Sequence, residues 1–88
     1  MKLWILEPVE NLSDGDNPWN RFYGRTFGFV VRADTEEEAR EFAHENAGDE
    51  NTSIIATGAP WKYSEYSTCK ELVADGEPGM IMRDFVSG

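Results

Sequence analysis

Between residues 26 and 47 the chain changes its periodicity with no connecting loop, and this switch restricts the fold more than any other feature of the 88 residues. Phe27, Phe29, Val31 and Ala33 alternate with Gly28, Val30 and Arg32, which predicts a strand over 26–33. Asp34 or Thr35 can then cap a helix at once, with Glu37 or Glu38 completing a capping box. Thr35, Ala39, Phe42, Ala43 and Ala47 recur at helical spacing, and Gly48 is the expected terminator. A strand that runs straight into a helix with small alanines on its inner side requires the helix to lie back across the sheet.

The rest of the sheet is read around that unit. Residues 2–7 are apolar on both faces, with Leu3 and Ile5 on one and Trp4 and Leu6 on the other, so a central strand ending at Pro8 is expected. Residues 67–74 and 79–86 read as a closing hairpin about Asp75-Gly76-Glu77-Pro78-Gly79. The expected architecture is α+β: a mainly antiparallel four-stranded sheet in the order β-β-α-β-β, with one helix packed on a face. One domain spans 1–88, because two cores drawn from so short a chain would each bury too little surface.

Two stretches carry aromatic residues outside these elements. Residues 9–25 form a long connection with a dense turn cluster at Asp14-Gly15-Asp16-Asn17-Pro18, followed by Trp19, Phe22 and Tyr23. One or two of these rings are expected to fold back as a lid over the sheet, leaving the remainder for a partner. In 49–66, Ile54 and Ile55 precede the interruptions at Gly58 and Pro60, and Trp61, Tyr63 and Tyr66 make a second aromatic group.

Charge narrows the partners. Seventeen acidic residues against eight basic ones give a net charge of −9. Phosphate backbones and anionic membranes repel such a chain, so a protein with a basic surface is the expected partner, with no direct nucleic acid and no membrane. Cys69 is the only cysteine, so a reducing, cytoplasmic setting is expected. The apolar run near the N-terminus is too short for a leader or a span.

Reactive groups are sparse. His44 stands about 140° from Ala39 on a helical wheel, which predicts a solvent-facing imidazole with nothing to orient it. Cys69 alternates within a strand, the usual setting of an inert thiol. These two are too few for a zinc site. Asp14-Gly15-Asp16-Asn17 opens like a calcium loop, but the sixth position is Trp19 instead of Gly and the twelfth is Arg25 instead of Glu. The expectation is a protein that is not an enzyme, with no catalytic residues, no metal and no cofactor.

The acidic residues are more informative by position. Glu37, Glu41 and Glu45 follow at four-residue intervals, with Glu38 beside them, and like charges at that spacing cost a helix roughly 0.2–0.5 kcal/mol per pair. Such a stripe fits a basic groove. It is expected to carry partner binding through Glu37, Glu38, Glu41 and Glu45, with apolar anchoring by Trp19, Phe22 and Tyr23. The alternative is a housekeeping or ligand-sensing domain whose aromatic groups, including Trp61 and Tyr63, line a pocket.

The segments Trp4, Pro8-Val9-Glu10, Pro18-Trp19, Gly28 to Ala33 and Thr35-Glu36-Glu37-Glu38-Ala39-Arg40, with Ser67-Thr68-Cys69 and Gly76-Glu77-Pro78-Gly79, resemble small acidic proteins encoded by bacteria and their phages. In size and charge the chain is also similar to phage anti-defence proteins of the anti-CRISPR type. That class-level resemblance implies an inhibitor whose carboxylates stand in for nucleic-acid phosphates in a basic channel.

Overall fold

The computed structural model describes residues 1–19 and 24–84. Three strands, β1 (Lys2–Pro8), β2 (Phe29–Ala33) and β3 (Ser67–Glu71), form an antiparallel sheet in the order β2-β1-β3, with one α-helix, α1 (Glu36–Glu45). The class is α+β, and the doubly apolar β1 is the central strand. Trp4 lies opposite Val31 and Glu71, and Leu6 opposite Phe29 and Cys69. Strand alternation therefore turns Trp4, Leu6, Phe29 and Val31 to one face, where they meet the buried Ala39 and Ala43 of α1. On the other face Ile5 is buried, while Leu3 and Val30 are exposed.

The expected fourth strand is absent from the described residues. After β3 the Leu72 amide makes one more bond to the Leu3 carbonyl, at 2.8 Å, and the ladder ends there. Residues 72–84 carry no strand, and Met80, Ile81 and Met82 are exposed. Met80-Ile81-Met82 gives no alternation to fix a register, and Pro78 has no amide to donate. The Met82 methyl group instead fills the space where a Gly28 side chain would stand, beside the Leu6 carbonyl. Residues 85 and 86 of the expected strand lie outside the described residues.

The helix start follows its sequence. Thr35 is the N-cap, its hydroxyl accepting the Glu38 amide at 3.2 Å, and the Glu38 carboxylate reaches back to the Asp34 amide at 3.1 Å. The helix ends at Asn46, ahead of the expected Gly48; the Asn46 amide bonds the Phe42 and Ala43 carbonyls, and its side chain the Phe42 carbonyl at 2.8 Å. Gly48 has a different role. The Gly24 carbonyl occupies the position its Cβ would take, so only glycine admits that approach.

Residues 49–66 hold three short 3-10 turns, at Asp49–Thr52, Ile55–Gly58 and Pro60–Lys62. Ala56 (φ 60°), Thr57 (φ 49°) and Gly58 (φ 75°) run consecutively in the left-handed region. This costs about 1–2 kcal/mol at each of the two residues that bear a Cβ. No helix among the described residues is long and apolar enough to cross a membrane.

Candidate functional site

The solvent side of α1 displays the acidic stripe. At 100° per residue Glu37, Glu41, Glu45 and Glu38 occupy an arc of about 100°, roughly opposite the buried Ala39, Arg40 and Ala43. All four glutamates are exposed. Glu41 is held by Lys62 at 2.8 Å, and Glu36, outside the arc, by Arg40 at 2.9 Å. Glu37, Glu38 and Glu45 have no ion pair among the described residues, although Glu38 serves the helix cap. The Lys62 ammonium, through its hydrogen bond, holds the Glu41 carboxyl below the usual carboxylate range, and Glu41 in turn raises Lys62.

A buried polar cluster beneath α1 keeps this surface in place. Arg40, which reads in sequence as an ordinary surface arginine, is buried. Its guanidinium donates to the Trp61 carbonyl at 2.9 Å, the Ser67 hydroxyl at 2.8 Å and the Ser67 carbonyl at 3.0 Å. The Ser67 hydroxyl donates onward to the Pro60 carbonyl at 2.9 Å. These bonds tie the helix to β3 and to the 60–62 turn. On the other side of Trp61, the fully buried Glu50 accepts its indole N–H at 2.7 Å, the Thr26 amide at 3.1 Å and the Gly48 amide at 3.0 Å. A buried carboxylate is tolerable when its oxygens are this well supplied with donors. Sequence reasoning missed both groups, because most of their partners are remote in the chain.

The aromatic expectations divide. Trp19 is 5% exposed: its indole N–H donates to the Tyr66 carbonyl at 3.0 Å, and its ring meets Trp61 edge-on at 4.8 Å. It is the lid over the sheet, and burial removes it from any partner surface in this fold. Phe22 and Tyr23 lie outside the described residues. Trp61 is wholly buried and also meets Phe29 at 4.9 Å, so this aromatic group forms core where the alternative reading expected a pocket wall. Tyr63 remains partly exposed, at the edge of a shallow cleft of about 200 Å³ with Ala56, Thr57, Glu65 and Tyr66. Phe42, expected on the inner face, is exposed.

His44 is half-buried instead of solvent-facing, with Nδ1 enclosed and without a hydrogen-bond partner among the described residues. Cys69 packs against the core, and burial pushes its thiol upward, away from the reactive thiolate. Among the described residues no group of three or more His, Cys, Asp or Glu side chains is placed to hold a metal ion. Comparison with protein-family models, curated proteins and solved structures returned no match.

Proposed function

We propose that this chain is a non-enzymatic binding module that engages a basic protein surface through the outer face of α1. The observation that carries the reading is the arc of Glu37, Glu38, Glu41 and Glu45 on a helix anchored from below by Arg40. Like charges at four-residue spacing oppose helix formation, and of these four only Glu41 forms an ion pair among the described residues. Opposite potentials steer encounter and fix register, so the natural counterpart is an arginine- or lysine-rich groove. By its size and charge the chain suits a phage-derived inhibitor of the anti-CRISPR type, with these carboxylates standing in for phosphates. A reducing cytoplasm, inferred from the single cysteine, belongs to the same proposal.

The test is fluorescence anisotropy with a labelled arginine-rich peptide. Affinity is expected to fall as salt rises, and Glu37→Lys with Glu41→Lys should weaken it about ten-fold, or roughly 1.4 kcal/mol. Circular dichroism checks that the double variant still folds. Unchanged affinity in the folded variant, or binding indifferent to salt, overturns the reading.

A further inference from the structure

A second concave site lies at the end of the sheet and uses no residue of α1. A cavity of about 470 Å³ opens where the end of β1, the segment leading into β2 and the 82–84 segment converge. That volume falls within the range of small-molecule sites. Pro8, Phe27 and Met82 supply its apolar lining, and Glu7, Glu10 and Asp84 its carboxylates. None of these three carboxylates forms an ion pair or side-chain hydrogen bond among the described residues.

The two cations of the lining are already committed. The Arg25 guanidinium donates to the Trp19 carbonyl at 3.2 Å, lies 4.4 Å over the Phe27 ring, and faces the field of the buried Glu50. Its Nε is enclosed, out of reach of a ligand. Arg83 also has interactions of its own. The three carboxylates outnumber the two guanidinium groups of the lining, which leaves the cavity net negative and attractive to a cation. The apolar lining adds a second requirement, because a bare hydrated ion gains nothing from Pro8, Phe27 or Met82. An ammonium on a methylene stem satisfies both: the stem covers the Phe27 and Met82 surface while the charged head stays among the carboxylates.

We infer that this cavity binds a primary alkylammonium group, carried either by a free aliphatic amine or by a lysine side chain. The probes that separate its requirements are hexylamine, hexanol and tetramethylammonium, titrated into the full chain with amide shifts followed by NMR. Hexylamine should give saturable shifts at Thr26, Phe27 and Gly28, whereas hexanol and tetramethylammonium, each lacking one half of the chemistry, should not. Because partly exposed charge pairs contribute about 0.2–1 kcal/mol each, Glu7→Gln with Glu10→Gln should weaken hexylamine about five-fold. Nα-acetyl-lysine methylamide supplies the other source: tighter binding than hexylamine assigns the cavity to a protein lysine, and weaker binding to a free amine. The inference is overturned if neither amine saturates, if hexanol matches hexylamine, or if the folded double variant binds hexylamine as tightly as the parent.

Discussion

The two surfaces of α1 use charge in opposite ways. Beneath the helix Arg40 is buried, and on the other side of Trp61 so is Glu50, and each meets several hydrogen-bond partners, most of them distant in the chain. On the outer side of the helix, Glu37 and Glu45 lie exposed at four-residue steps from Glu41, with no ion pair among the described residues. A buried charge survives only when its hydrogen bonds are complete, so the inner set is part of what defines the fold. Glu38 and Glu41 are tied to the cap and to Lys62, but Glu37 and Glu45 add no such bond, and their repulsion with Glu41 slightly opposes the helix. The contrast separates residues kept for structure from residues free to act outward.

Breaking the inner set should have the largest effects. Trp61→Ala removes the ring that Trp19 and Phe29 pack against and should cost about 3–5 kcal/mol in urea unfolding. Glu50→Ala leaves the Trp61 indole and the Thr26 and Gly48 amides without their acceptor and should cost about 3 kcal/mol. Glu50→Gln should recover only part of this, since an amide has one acceptor oxygen for three donors. A smaller effect of opposite sign is expected at the strained turn. Thr57→Gly should stabilise by about 1 kcal/mol, because glycine adopts its left-handed backbone without strain.

The smallest effect sharpens the outer side. Lys62→Met removes the cation that lowers Glu41, so the Glu41 titration followed by NMR should move up toward the usual carboxylate value. The linked stability has a definite sign. A carboxyl depressed in the folded state contributes above its unfolded pKa, and the contribution fades as pH falls through the folded value. The variant should lose that acid-side dependence, with an unchanged Glu41 titration as the contrary result.

Local signals made half of this fold legible. The period switch at Ala33 to Thr35, the cap at Thr35, the buried Ala39 and Ala43 and the central β1 all depend on neighbours in sequence, and each stands where the pattern put it. The fourth strand is not legible, because apolar content at 80–82 without alternation does not specify pairing, and the chain places Met82 against Gly28 instead. Arg40 and Glu50 were invisible because a charged residue becomes a core residue only through partners 21 and 27 positions away for one, and 11 and 24 for the other. The glutamate row on α1 was legible because helical geometry alone sets it. Trp19 was half legible: its place as a lid followed from the length of the loop, but its burial depends on Trp61 and Tyr66.

Urea unfolding of Glu37→Gln with Glu45→Gln tests most directly whether the outer charges stand apart from the fold. Removing two repulsions with Glu41 should leave the midpoint unchanged or raise stability by about 0.2–0.5 kcal/mol for each. A loss of about 1 kcal/mol or more, in the manner of Glu50→Ala, would show that these carboxylates belong to the structure and would contradict their assignment to a partner.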